Sequence, residues 1–414
     1  MKKVSALFIV LLIKSIACVA QENSADSLYS NYLSFHTGYY FDSNSITSEL
    51  AGKYYMNSFI NDDVKDAVSK KLSSLNRFGA DFNWHIDYSH KVDSFLGLSH
   101  CILGVKLLDR THLSSRFSED AFELYFRGNK NYAGKTADLS DFRFNSLHYQ
   151  ELSFSLGHWF RKGDNLFEWN AGIGIVKGQT FLSIEAPRAN IFTSPSGDYL
   201  DLDANLTIQR SDSSKSNLSA VNGVGAAFNL AFKWQDAHSR ILRFEASGLG
   251  VIGYNSNSSI VTADTSFRFE GIDVSDLFNF HDSIRGSINL DSSLVQPYLK
   301  RRDYQSKTLV MPANFLLSYT IPLASQWTME AGLLYTMQSE AMPMIFQVYS
   351  WRINEKHTAA LRLRFGGYSG IHFGLSYKLK FKSWRLGIGS DYIDGFLNPH
   401  STAQGAFLSL GKYF

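Results

Sequence analysis

Cysteine is nearly absent: of 414 residues only Cys18 and Cys101 carry a thiol, and Cys18 lies in a segment that reads as a removable leader. A single remaining thiol cannot form an internal disulfide, so no covalent framework holds this chain. Proline is also scarce, with 7 residues, which leaves long stretches free to pair as strands. Charge of one sign is missing too. The 40 Lys and Arg stand against 38 Asp and Glu, a balance that excludes nucleic acid or a polybasic membrane patch as the main partner. After Ala20 no apolar run approaches the about 18–20 residues that a membrane helix requires. No Cys/His cluster has the spacing of a metal site, and no Gly-rich turn leads from a strand into a phosphate-cradling helix. The sequence therefore calls for no metal and no cofactor.

What is present is aromatic: 32 Phe, 21 Tyr and 7 Trp. The chain opens with Lys2 and Lys3, an apolar run Val4–Ile13 and a small-x-small site Cys18-Val19-Ala20. That is the layout of a secretory signal peptide over 1–20, with 21–414 as the mature protein. A lipoprotein signal acylated at Cys18 is the weaker alternative, because Ser15 stands where Leu is usual.

Period-2 alternation dominates the rest. Phe78, Ala80, Phe82, Trp84, Ile86 and Tyr88 alternate with Gly79, Asp81, Asn83, His85, Asp87 and Ser89. Ile371 to Phe381 and Trp327 to Tyr335 repeat the pattern. Six apolar members on one face against polar residues or glycine on the other specify strand rather than helix. The end of the chain, Thr402 to Phe414, is another such strand and closes on an aromatic. Strands are expected near 32–41, 77–90, 93–106, 147–160, 165–178, 219–234, 240–254, 306–321, 326–339, 343–353, 357–367, 370–381, 384–394 and 402–414. Alternating direction along these fourteen puts every long connection (42–76, 107–146, 179–218, 255–305) on one side. The short ones (91–92, 161–164, 235–239, 322–325, 354–356, 382–383) fall on the other. The expected fold is all-β: a closed transmembrane antiparallel barrel of about 14 strands with short periplasmic turns and long extracellular loops. Closure matters because an open edge would leave backbone groups unpaired in hydrocarbon.

Within the loops, Asn61-Asp62-Asp63 reads as the start of a helix over 61–75. Ser118 to Gly128 reads as a second helix, and Val274 to Phe280 as a shorter amphipathic piece. The segments 42–76 and 107–146 are candidate plug or constriction segments. Tyr39, Tyr40, Trp84, Tyr88, Trp159, Trp234, Trp327, Trp351, Trp384 and Tyr413 sit near strand ends, where aromatic girdles meet the membrane surface.

The run Arg127–Leu152, RGNKNYAGKTADLSDFRFNSLHYQEL, resembles a segment of an uncharacterised Bacteroidota outer-membrane β-barrel family with a GN…AGKTADLS pattern. The matching positions are Gly128, Asn129, Tyr132, Ala133, Gly134, Thr136, Ala137, Asp138, Leu139 and Ser140. More remotely the architecture is similar to FadL-type channels for hydrophobic compounds and to SprF/PorP-type barrels associated with type IX secretion. The resemblance implies a location in the bacterial outer membrane. The terminal aromatic, Phe414, resembles the signal read by the barrel-assembly machinery.

If one strand face meets lipid, the other lines a lumen. That face carries Asp81, Asn83, His85, Asp87, Glu151, Glu168, Asn170, Lys233, Arg243, Glu245, Glu330, Arg362, Arg364, Lys378, Lys380 and Arg385. Acidic positions come early and basic ones late, so the two sectors are expected either to face each other across a channel or to interlock as a filled interior. Gly128, Asn129, Tyr132, Gly134, Thr136 and Asp138 mark a candidate constriction. The histidines are scattered singly and no Ser/His/Asp set is spaced for catalysis, so no enzyme is expected. The reading is a transport-type barrel for small, hydrophobic or amphipathic molecules. The alternative is a non-conducting barrel that docks a partner such as a secretion or motility component.

Overall fold

The computed structural model describes residues 30–212, 214, 217–270 and 301–414; the expected leader over 1–20 and the 274–280 piece lie outside them. Nineteen strands form one sheet. In chain order they are β1 (Asn31–Ser43), β2 (Asn76–Phe95), β3 (Leu98–Phe117), β4 (Lys135–Asp138), β5 (Phe142–Lys162), β6 (Asn165–Thr193), β7 (Leu200–Arg210), β8 (Gly223–Gln235), β9 (Ile241–Tyr254) and β10 (Ser259–Phe269). Then follow β11 (Arg301–Tyr304), β12 (Lys307–Val310), β13 (Asn314–Ala324), β14 (Trp327–Thr336), β15 (Met342–Arg352), β16 (His357–Gly367), β17 (Ile371–Phe381), β18 (Trp384–Tyr392) and β19 (Ala403–Tyr413).

Fourteen of these make the wall of a closed antiparallel barrel: β1, β2, β3, β5, β6, β8, β9 and β13 to β19. β1 closes the ring. It pairs with β2 from Asn31↔His90 to Ser43↔Phe78, and with β19 from Tyr32↔Tyr413 to Asp42↔Ala403. A hydrogen-bond pair between Phe414 and Asn31, 3.1 Å in each direction, finishes the seam. No edge strand is left in the wall, which is the condition for sitting in hydrocarbon.

Parity sets the two faces. On β2 the even residues Phe82, Ile86 and Tyr88 are exposed, while Asp81, Asn83 and His85 between them are buried. The same alternation runs round the ring, with Phe154, Ile173 (68 % exposed), Val224, Leu333, Phe365, Phe373, Leu375 and Ile388 on the outside. A continuous belt of exposed large apolar side chains far exceeds what a water-soluble surface carries. It is the lipid-facing band of a membrane barrel. Trp327 and Trp351 stack with ring centres 5.6 Å apart beside the short-turn rim, as an aromatic girdle does. Three of the expected girdle residues belong elsewhere. Tyr40, Trp159 and Tyr413 pair with the lumen-facing positions Asp81, Glu168 and Tyr32, and Trp159 stacks on His100 at 4.4 Å.

The long connections all lie at one rim, together with the short β14–β15 and β16–β17 turns, and the other rim carries only short turns. The first turn is Leu96-Gly97 rather than 91–92, with φ of +51° and +80°. Lys91 and Ser94 are polar but still pair, with Ile102 and Ser99, because the hairpin runs on into water below the apolar band. The four early strands are likewise longer than expected. β3, β5 and β6 continue above the rim, and β6 there exchanges its partner β8 for β7. β7 pairs with β10, β10 with β11, and β4 adds to β6. Much of what reads as loop is therefore a raised sheet.

Three helices cover the mouth: α1 (Ser48–Tyr55), α2 (Asp62–Ser69) and α3 (Glu119–Arg127). The α3 start follows the expectation, since Ser118 Oγ accepts the Ala121 N–H at 3.1 Å and Glu119 and Asp120 fill the first turn. Such a cap satisfies a donor that the helix cannot, and acids there suit the helix dipole. α1 carries no helix signal in the sequence reading. The three bury Ile46, Leu50, Val64, Val68 and Phe122 against Phe117 and the top of β2. This apolar cluster makes the cap a folded unit rather than loose loops.

Candidate functional site in the barrel lumen

The register of the ladders carries Asp81, Asn83, His85, Asp87, Glu151, Glu168, Asn170, Lys233, Arg243, Glu245, Glu330, Arg362, Arg364, Lys378, Lys380 and Arg385 round one inner face. Acidic and basic sectors do not, however, confront one another across an open bore. Most partners are local. Lys233 Nζ meets Glu168 Oε1 at 3.0 Å, and Arg243 pairs with Glu245 two residues away. Arg362 and Arg364 grip the two oxygens of Asp391 at 2.7 and 2.6 Å. Glu151 accepts from Asn229 Nδ2 at 2.8 Å. Charges in a low-dielectric wall are retained only when neutralised nearby.

The outer half of the lumen is closed by polar contacts that span it. Asp81 on β2 is 2 % exposed and Arg110 on β3 is 4 % exposed. Arg110 reaches Asp81 through Nε at 3.0 Å and Nη2 at 2.6 Å, a two-pronged carboxylate grip. His112 Nδ1 lies 3.0 Å from the same Asp81 Oδ2. The remaining arm of the guanidinium, Nη1, donates to the Pro312 carbonyl at 3.1 Å. Pro312 belongs to the far side of the ring, between β12 and β13. There a proline cannot donate to the ladder, and the strand breaks over 311–313. Met311 and Ala313 are fully buried at this break. Arg110 therefore ties two walls together as a bolt.

Two connections fold in above it. The Tyr368 hydroxyl donates to Ser114 Oγ at 3.0 Å, and Tyr368 N–H donates to Asp42 Oδ2 at 3.1 Å. Its ring lies directly on Gly79, where a Cβ would collide with it. Glu340 N–H donates to Ser114 Oγ at 2.7 Å. Beside the bolt, Leu147, Tyr149, Val176, Phe181, Ala227, Ile252, Tyr254 and Met311 pack as an apolar core. Residues of lumen parity, which in an open pore would face water, here fill the interior.

Below the bolt the interior is lined by polar and charged side chains. A small cavity of about 60 Å³ is lined by Arg243, Glu330, Thr358, Arg362, Arg364 and Lys378 among others. On the facing wall His36 and His85 are register partners with rings stacked at 4.7 Å, and His85 Nε2 lies 3.3 Å from Asp87 Oδ2. One ligand atom from each of His36, His85 and Asp87 lies within 4.8 Å of the others. Two imidazoles and a carboxylate could share a divalent cation. The sequence hides this set because His36 and His85 are brought together only by strand pairing. Lys106, the register partner of Asp87, competes for the carboxylate.

The expected constriction is not in the lumen. Gly128, Asn129 and Tyr132 form the end of α3 and a short 3-10 turn. Gly134, Thr136 and Asp138 lead into or lie in β4, which pairs with the raised end of β6 at 190–193. The run is a surface brace: Tyr132 Oη and Asp138 N–H both donate to the Asp120 carboxylate, at 2.7 Å each. Arg110, His112 and Asp391 are the lumen residues missed by the sequence reading. Pro312, inside the expected strand 306–321, is a signal that could have marked the break.

A family model described as "Family of unknown function (DUF5723)" matches residues 27–391. No curated protein matches. Among solved structures, a deletion mutant of the TodX monoaromatic hydrocarbon channel aligns at 8% identity with a TM-score of 0.48, covering 93% of this chain and 91% of its own. A Pseudomonas aeruginosa FadL homologue aligns at 9% identity and TM-score 0.44, covering 92% and 89%. The outer membrane phospholipase A from Escherichia coli aligns at 9% identity and TM-score 0.27, covering 91% and 92%. These likenesses concern the barrel fold alone.

Proposed function

The chain belongs to this family of unknown function, DUF5723, and from that premise we propose that it is a transport-type barrel of the bacterial outer membrane, normally held shut, for small hydrophobic or amphipathic molecules. The observation that carries the reading is the Arg110 bolt. A barrel that served only as a static wall would need no single side chain joining β2, β3 and the β12–β13 break. The bolt stands between an apolar packed outer half and a lower half lined by charged side chains around a small cavity, which is the arrangement of a gate rather than of a uniformly filled cylinder. The broken strand gives the gate a hinge, because Pro312 leaves the wall ladder incomplete there.

Planar-bilayer current and liposome swelling test the proposal. The intact barrel conducts poorly, and Arg110→Ala raises conductance. A barrel silent in the intact form, in Arg110→Ala and after deletion of Gly128–Ser140 would refute transport and leave the docking of a secretion or motility partner as the reading to pursue.

A further inference from the structure

The outer turn between β16 and β17 carries a second constellation, which the lumen reading does not use. Ser369 stands in that turn, next to Gly370. His372 follows at the start of β17, buried. Asp394 opens a single helical turn, Asp394–Leu397, just after β18. Ile393 N–H donates to Phe373 O at 2.8 Å, which fixes this turn against β17. The result is a linear array. His372 Nε2 lies 2.6 Å from Ser369 Oγ, and His372 Nδ1 lies 2.8 Å from Asp394 Oδ2. With its proton on Nδ1, directed at the carboxylate, the imidazole offers a lone pair at Nε2 to the hydroxyl. Asp394 is held in turn by the Ser401 hydroxyl. Burial pushes the Asp394 carboxyl up, but the hydrogen bonds from His372 and Ser401 outweigh it and hold the group below the usual carboxylate range. Asp42, which accepts the Tyr368 N–H, adjoins Ser369 from the other side and is the second carboxylate facing His372. The His372 ring otherwise packs on Tyr392, 5.3 Å between centres.

We propose that Ser369, His372 and Asp394 are a nucleophilic triad that hydrolyses esters of amphipathic, acyl-bearing molecules at the outer rim. A nucleophile, a base within hydrogen-bond reach and a carboxylate orienting that base are the defining relations of such a site, whatever the fold. Space for a substrate lies next to Ser369: nothing comes within 4 Å of where a Gly370 side chain would begin. The Gly370 N–H makes no hydrogen bond among the described residues, and as the amide after the nucleophile it is placed to meet a developing oxyanion. The substrate class follows from the surroundings. Ile371, Phe373, Phe396 and Leu397 (78 % exposed) present apolar surface beside the turn, where the lipid-facing band meets water.

The chemistry balances with one ester and one water. Ser369 Oγ adds to the ester carbonyl while its proton passes to His372 Nε2. Collapse breaks the ester C–O bond, and that proton leaves with the alcohol. Water then adds to the acyl-serine and gives a proton to Nε2. The carboxylic acid departs as Ser369 Oγ recovers the proton. A hydrolytic rim is independent of the gate below it.

The test uses the full chain, folded in detergent micelles and checked by heat-modifiable electrophoretic mobility. An alkyl fluorophosphonate at pH 8 should form one adduct, on the peptide containing Ser369. p-Nitrophenyl octanoate should be turned over at least about 100-fold faster than by Ser369→Ala, and faster than the acetate ester. Asp394→Asn should slow turnover by about 10²–10⁴-fold and alter its pH profile, since the wrong tautomer then faces Ser369. Absence of an adduct on Ser369 in the folded wild-type barrel, or equal turnover by folded Ser369→Ala, would overturn the proposal. Conductance of the same preparations reports on the transport reading separately.

Discussion

Removing Asp81 is the sharpest perturbation of the bolt. Arg110 is almost fully buried and spends two of its arms on that carboxylate, with His112 on the same oxygen. Asp81→Ala strands a guanidinium left with the Pro312 carbonyl and the Tyr149 side chain as partners, neither of them charged. An uncompensated buried charge costs about 3–5 kcal/mol, whereas replacing both partners by apolar residues of similar volume is often neutral or stabilising. The expected series is therefore non-additive. Asp81→Ala should lower unfolding stability by about 3–5 kcal/mol, Arg110→Met by less, and Asp81→Leu with Arg110→Met should recover most of the loss. Urea titration of barrels folded in lipid vesicles, followed by tryptophan fluorescence, measures all three. Additive losses, or an Asp81→Ala variant within about 0.5 kcal/mol of wild type, the range of ordinary surface substitutions, would refute the reasoning.

Three further outcomes are expected. Phe122→Ala empties the centre of the α1–α2–α3 cluster and should weaken the cap by about 3–5 kcal/mol; protease should then cut within 44–75 and 118–134 while the wall strands stay protected from hydrogen exchange. Asp394 has a folded pKa below its ordinary value, so its contribution to the rim is fully present above about pH 4, the unfolded value, and is lost as pH falls through the lower folded value. Hydrogen exchange of 393–402 should accelerate in that acid window, and Asp394→Asn should remove the pH dependence. Deleting Phe414 breaks the Phe414–Asn31 pair that ends the β1–β19 seam. Pulse-labelled cells should show slower conversion to the heat-modifiable folded form, and unchanged kinetics would remove Phe414 as an assembly signal.

The fold was legible because two parities agree. Phe78 to Tyr88 shows which face meets lipid, and the order of short and long connections shows which rim meets the cell interior. Both survive in the ladders of β2 and of β13 to β19. The interior was less legible. Asp109, Arg110 and His112 read as loop because polar residues usually end a strand, yet β3 continues through them since each has a polar register partner on one side: Gln150 for Asp109, Asn83 for Arg110 and Asp81 for His112. Tyr40 and Tyr413 were assigned to a girdle by position along the strand, although their parity pointed inward. The bolt joins residues from opposite walls, 110 and 312, and the triad joins a turn to a helical start beyond the next strand. Neither leaves a local pattern, because strand pairing sets the distance rather than spacing in sequence. Pro312 is a local signal that the strand expected over 306–321 passed over.

The account rests on an outer half shut by the bolt, and sided thiol labelling tests it most directly. In a Cys101→Ser background, Thr358→Cys places a thiol in the lower cavity. A bulky membrane-impermeant maleimide should label it from the periplasmic side and not from outside the cell, until Arg110→Ala is added and outside labelling appears. Rapid labelling from outside with the bolt intact would contradict the account.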